Sequence, residues 1–201
     1  MAACRSQPCA CSQGDDTVSG ALVETVAEMH GLEVPLIQAI VHIESGGDPW
    51  AWNPEPRYRY FWDVRNKRPF RTLHALELES KMPPKDFYDL RGFRGVDADQ
   101  EWWGQQASWG LMQLMGGLAR ELGYAGAYLS SLCDPGTNLQ LGCRHLRALL
   151  DWADRGNIAE PVTWNAVAAY NGGRGGWSWP GPQAYASKVR IEYDRLTEGR
   201  S

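Results

Sequence analysis

The chain has 201 residues, 43% of them hydrophobic and 22% charged, with a net charge of −4. That length can bury a substantial core in one domain, and no apolar run approaches the length of a membrane span. The acidic balance excludes a surface given over wholly to nucleic acid, so neither a nucleic-acid partner nor stable membrane insertion is expected.

Residues 1–15 form a polar tail expected to be disordered, and they lack the basic-then-apolar order of a secretion signal. Cys4, Cys9 and Cys11 lie in this tail without a fourth ligand at zinc-site spacing, so no metal is expected there. Residues 16–201 read as one domain. The first helix spans about 17–30, with Leu22, Val23, Val26 and Met29 on one face, Asp16 or Thr17 as cap and Gly31 as stop.

The next helix carries the most informative residue of the chain. In VPLIQAIVHIESGG, Pro35 suits the first turn, and Ile37, Ile40, Val41 and Glu44 follow at i, i+3, i+4 and i+7. Gly46-Gly47 then ends the helix. Glu44 thus places a carboxyl on an apolar face, at the negative end of a helix dipole. Both circumstances raise its pKa, as a general acid near neutral pH requires. The plainer reading is a Glu that turns to solvent in a frayed last turn.

Residues 50–107 differ in kind. They hold all four Phe and half of the Trp, with many Arg and Pro, and show weak periodicity until LHALELESK, a candidate short helix. This segment is expected to be irregular or mixed structure forming one wall of a cleft. Its run Arg57, Arg59, Arg65, Lys67, Arg68 and Arg71 reads as a solvated face, or as an attractor of an anionic polymer. Helical signals resume in SWGLMQLMGGLARELG, where Leu111, Leu114, Met115, Leu118 and Leu122 mark a buried face.

Asp134-Pro135 is a cap-and-first-turn pair opening a helix to about Trp152, on which Cys143 shares a stripe with Leu139, Leu146 and Leu150. Cys143 is therefore expected to be a buried free thiol, too far along the helix to bridge Cys133. Further helices are expected from Pro161 to Gly172, with Trp164, Val167, Ala168 and Asn171 on one face, and over about 182–197. No pair of segments shows strand alternation across a hairpin turn, so the fold class is mainly α, without repeats.

Three short motifs now fall in order: Glu44-Ser45-Gly46, Ser108-Trp109-Gly110-Leu111-Met112-Gln113 and Ala169-Tyr170-Asn171-Gly172-Gly173. Together they resemble the catalytic domain of the soluble lytic transglycosylases and goose-type lysozymes. The resemblance covers about residues 32–190 apart from the aromatic segment, and the wording is similar to phage or prophage wall-degrading enzymes of that family. It implies a lysozyme-like fold and an enzyme that cuts the glycan strands of peptidoglycan, with no cofactor.

Carried over residue by residue, the resemblance makes Glu44 the catalytic acid and Ser45 a residue that contacts the sugar or steadies the acid. Ser108, Gly110, Met112 and Gln113 become the strip that holds the glycan. Tyr170 becomes the tyrosine hydrogen-bonding near the acid, and Asn171 a sugar-binding position. Plainer readings exist: Met112 as core filler, and Tyr170-Asn171-Gly172 as an ordinary helix end.

In lytic transglycosylases one Glu acts as acid and then as base, and the muramic acid C6 hydroxyl attacks its own C1 to leave a 1,6-anhydro ring. A hydrolase would need a second carboxylate. Glu55, Asp63, Asp97, Asp99 and Glu101 lie in the interval, which is longer than in a typical soluble transglycosylase. Glu55 and Glu101 stand out because Trp52 and Tyr58, or Trp102 and Trp103, flank them as candidate cleft walls.

A non-catalytic wall-binding virion module and a chitin-cleaving enzyme on the same scaffold are the competing readings. The protein is expected to be a monomer made in the cytoplasm. It would reach the wall after release, as an endolysin does, or in a phage particle.

Overall fold

The structure, a computed structural model, describes residues 20–74, 77, 83–88 and 97–198. The tail with Cys4, Cys9 and Cys11, the Asp16/Thr17 cap and most of LHALELESK lie outside the described residues.

The described residues are mainly α, at 62% helix and 7% strand. The chain begins with α1 (Gly20–Met29) and α2 (Val34–Ser45). The aromatic segment then supplies strands β1 (Trp52–Pro54), β2 (Trp62–Asp63) and β3 (Arg68–Pro69), a short α3 (Lys85–Tyr88) and α4 (Ala98–Gln105). Strands β4 (Ala107–Trp109) and β5 (Leu114–Met115) lead into α5 (Gly116–Glu121) and a 3-10 turn over Leu129–Cys133. Last come α6 (Pro135–Trp152), α7 (Val162–Gly176) and α8 (Pro180–Glu198).

The main core joins α1, α2, α6, α7 and α8 through Val26, Ile37, Ile40, Leu139, Cys143, Leu146, Val167 and Val189, all almost wholly removed from water. The predicted α2 stripe is buried as expected, with Ile37 and Ile40 at 0% exposure. Asp134 caps α6 by accepting from the Thr137 N–H at 2.8 Å, again as its sequence predicts. Cys143 is a buried free thiol whose pKa burial pushes up to about 12, and Cys133 is free as well.

The aromatic segment builds a small core of its own. Phe61 stacks on Trp102 at 4.2 Å, and Phe87 meets Trp102 edge-on at 5.1 Å. Its charged anchor is Glu101, 1% exposed, held by both Nε and Nη2 of Arg120 at 2.8 and 2.7 Å and by the Gln105 amide at 2.9 Å. Arg120 also donates to the carbonyls of Tyr124 and Gly126, fastening α4, α5 and the following loop together.

Two expectations are corrected. Residues 107–115 are not helical: β4 and β5 pair antiparallel, with β1 on the outer side of β4, in a three-stranded sheet of order β1-β4-β5. Helix begins only at Gly116, so Leu111 and Leu114 are buried from a hairpin and not from a helix face. The physical reason is Gly110 and Gln113, both left-handed, at φ 68 and φ 44. A side chain at Gly110 would also strike the Leu132 carbonyl at 2.8 Å and the Asn138 amide at 2.6 Å. Second, the strands absent from the sequence reading do exist, but each is two or three residues long, too short to display alternation.

Candidate active site

Glu44 lies in the last turn of α2, above Ile37, Ile40 and Val41. Gly46 ends that helix in the left-handed conformation, its N–H bonded back to the His42 carbonyl. The Glu44 side chain is half-buried, and burial against apolar neighbours raises its pKa from 4.5 to about 7. The Tyr185 hydroxyl, from α8, faces the carboxyl and opposes part of that rise. That hydroxyl is buried and completes no hydrogen bond of ordinary length among the described residues; Glu44 and Tyr170 are the groups that act on it. No ion pair reaches Glu44 among the described residues.

The hairpin loop 110–113 is clamped beside this carboxyl from three helices. Ser45 Oγ, next to Glu44 on α2, donates to the Leu111 carbonyl at 2.9 Å and to the Val41 carbonyl at 3.1 Å. From α7, the Tyr170 hydroxyl donates to the Met112 carbonyl at 2.8 Å. From α6, Asn138 accepts from the Met112 N–H at 2.8 Å and donates to the Trp109 and Leu132 carbonyls. Gln113 closes the loop: its amide donates to the Gly110 and Ala51 carbonyls, and its oxygen accepts from Ser108 Oγ at 2.8 Å. Backbone polar groups that a loop would otherwise give to water are thus occupied from within.

A carboxyl whose pKa burial raises to about 7 stands beside a hydrogen-bonded loop from a distant part of the chain. The family model of the transglycosylase SLT domain matches residues 21–190 of this chain. The chain belongs to this family. A comparison with curated proteins found no match. The SLT family acts on peptidoglycan, and its members are transglycosylases. No helix among the described residues is long and apolar enough to cross a membrane.

The site residues expected from the motifs divide into two sets. Glu44, Ser45, Gly110, Met112 and Tyr170 come together around the loop. Ser108 sits on β4, tied to the loop through Gln113. Met112 itself is 0% exposed and its side chain packs on Gly142, so only its backbone faces the loop. Tyr170 hydrogen-bonds that backbone beside the acid, and Tyr185 is the tyrosine whose hydroxyl acts on the Glu44 carboxyl itself. Asn171 is exposed at the end of the regular part of α7, two residues before the break at Gly173 (φ 70).

Of the acids between the motifs, Glu101 is consumed by Arg120 and cannot serve as a base in the cleft. Asp63 is 4% exposed and accepts from the Arg65 and Asn66 N–H groups of the β2–β3 turn. Asp97 caps α4. Glu55 remains exposed, accepting from the Asn53 amide at 2.5 Å.

Sequence reasoning missed Tyr185 and Asn138. Asn138 shares a helical stripe with Leu141, Gly142 and His145, so it too is a polar residue on an apolar face, the signal that exposed Glu44. Tyr185 stands beside the buried Ala186–Val189 face of α8 and had no motif to mark it.

Proposed function

We propose that the protein is a lytic transglycosylase that cleaves the β-1,4 bond between N-acetylmuramic acid and N-acetylglucosamine, with Glu44 as its sole catalytic carboxyl. Protonated Glu44 gives its proton to the glycosidic oxygen as the bond to C1 breaks. The resulting carboxylate then takes the proton of the muramic acid C6 hydroxyl as that oxygen closes on C1. The products are a 1,6-anhydro-muramic acid end and a free N-acetylglucosamine end, and Glu44 returns to its acid form.

The observation that carries this reading is the Glu44 carboxyl, buried without a cation and shifted to about 7. Such a group is divided between its acid and carboxylate forms near neutral pH, so it can give a proton and, once ionised, recover one. Ser45 and Tyr170 steady the loop that faces it, and Tyr185 tempers its pKa. Ser108, Gly110, Met112, Gln113 and Asn171 would contribute the glycan-holding strip. The enzyme acts on the cell wall after leaving the cytoplasm, by release or in a phage particle.

Release of soluble fragments from purified peptidoglycan by the parent enzyme, and none by Glu44→Gln, is the expected outcome. Equal release by both would contradict it.

Hydrolysis is the second reading, and Glu55 favours it. Glu55 follows Asn53 by two residues, and Asn53 pairs with Ser108, which places all three on one face of the sheet. A water-activating base there would be lost in Glu55→Gln, whereas the transglycosylase reading predicts no change in product chemistry for that variant.

A further inference from the structure

The other face of the same sheet holds a second feature. Trp52 and Trp109 are cross-strand partners, their rings 6.0 Å apart and tilted by 41°. They therefore point away from the Asn53/Ser108 face. Around them opens a pocket of about 340 Å³, completed by Gln100, Trp103, Tyr128 and Ser130. Neither Glu44 nor its neighbours Ser45, Tyr170 and Tyr185 line it.

Three of its aromatic side chains are conspicuously uncovered: Trp52 at 56%, Trp103 at 45% and Tyr128 at 52% exposure. Trp102, next to Trp103, is wholly buried in the aromatic core, so the segment has separated its rings into packing and presenting sets. The Trp109 indole N–H is already spent on the Gly104 carbonyl at 3.0 Å, which fixes that ring as a wall. Glu101 lines the floor, but Arg120 has neutralised it.

We propose that this pocket is a second, non-catalytic glycan site that takes N-acetylhexosamine rings of the same polymer that Glu44 cleaves. This rests on the reading of the protein as a glycan-strand enzyme. Aromatic faces suit the apolar C–H faces of a pyranose ring. Gln100 and Ser130 offer neutral hydrogen-bonding groups for hydroxyl and acetamido oxygens. With its one carboxylate paired, the pocket matches a neutral sugar better than a charged stem peptide. Its place on the same three strands as the Ser108 strip lets one long strand, or neighbouring strands of the wall, engage both faces. Two sites on one polymer raise the effective concentration of the second.

The test uses the full chain carrying Glu44→Gln, with the tryptophan indole N–H signals followed by NMR. Peptide-free glycan strands, prepared by stripping the stem peptides from sacculi, should shift the Trp52, Trp103 and Trp109 signals as well as signals near Glu44. Adding Trp103→Ala should weaken retention on intact sacculi by about tenfold, and Trp103→Ala with Tyr128→Ala by roughly a hundredfold, the low end of what a second linked site supplies. Cleavage of a short soluble glycan by Trp103→Ala in the active enzyme should stay at the parental rate.

Shifts near Glu44 alone, with retention unchanged in the variants, would overturn the second site and leave the catalytic reading standing. Shifts at the pocket with stem peptides but not with peptide-free glycan would also overturn it. Absence of any response to glycan would remove both readings together.

Discussion

Two buried glutamates, each on a helix, show how differently the two regions of this molecule treat a carboxylate. Glu101, in the aromatic segment, is 1% exposed and answered on both oxygens by Arg120. Glu44, in the helical body, is half-buried, with no cation on it among the described residues and only the Tyr185 hydroxyl acting against its raised pKa. Pairing makes the first a structural fastening, because both its oxygens are taken up by one guanidinium in hydrogen-bonding geometry. Lack of a cation leaves the second with a raised proton affinity, because desolvation outweighs the opposing Tyr185 hydroxyl. Burial therefore does not distinguish the two carboxyls; the partner does.

Substitution at the two positions should separate them most clearly. Glu44→Gln should lower kcat by about 10²–10⁴-fold, the usual contribution of a general acid, with little loss of fold, as read by fragment release and by thermal unfolding. An undiminished rate would erase the distinction. Arg120→Met should instead unfold the protein more easily by about 3–5 kcal/mol, since it strands Glu101 as an uncompensated buried charge. Urea unfolding measures this, and Glu55→Gln, at an exposed site, should move the midpoint little by comparison.

The pH dependence of stability sharpens the contrast. The folded-state pKa of Glu44, about 7, lies above its ordinary 4.5, so the native protein binds the extra proton and loses stability as pH rises through that window. At roughly 1.4 kcal/mol per unit, the cost above pH 7 reaches up to roughly 3 kcal/mol. Glu44→Gln should therefore be more stable than the parent at pH 8 and no more stable at pH 4, a comparison that melting curves at the two pH values provide. The smallest effect belongs to Tyr185→Phe. Removing the hydroxyl that favours ionised Glu44 should carry the alkaline limb of kcat/KM upward by less than about one pH unit. A downward shift would mean that Tyr185 does not act on the acid.

The helical body was largely legible because its elements are long enough to show a period. The stripe Ile37–Ile40–Val41–Glu44 and the Asp134-Pro135 cap both stand where their sequence puts them. The aromatic segment was legible only as different. Its strands span two or three residues, and its order comes from contacts across large sequence separations, such as Phe61 on Trp102 and Arg120 on Glu101. Periodicity carries neither.

The hairpin at 107–115 shows the same limit from the other side. Leu111, Leu114, Met115 and Leu118 mimic a helical face, yet the backbone turns at Gly110 and Gln113 before a helix can start. At the site, the motifs located Glu44 and the loop but not the order of the bonds between them. Tyr170 matched a motif and proved to hold the loop, while Tyr185, without a motif, faces the acid. Which of two tyrosines reaches a carboxyl depends on how α7 and α8 pack, and local sequence does not encode that.

The central claim is that one unpaired carboxyl performs both proton transfers. Mass spectrometry of the fragments released from purified peptidoglycan, beside a Glu44→Gln control, tests it most directly. Fragments ending in 1,6-anhydro-muramic acid, absent from the control, are the predicted result. Reducing muramic acid ends would contradict it, since water would then have needed a second carboxylate to activate it.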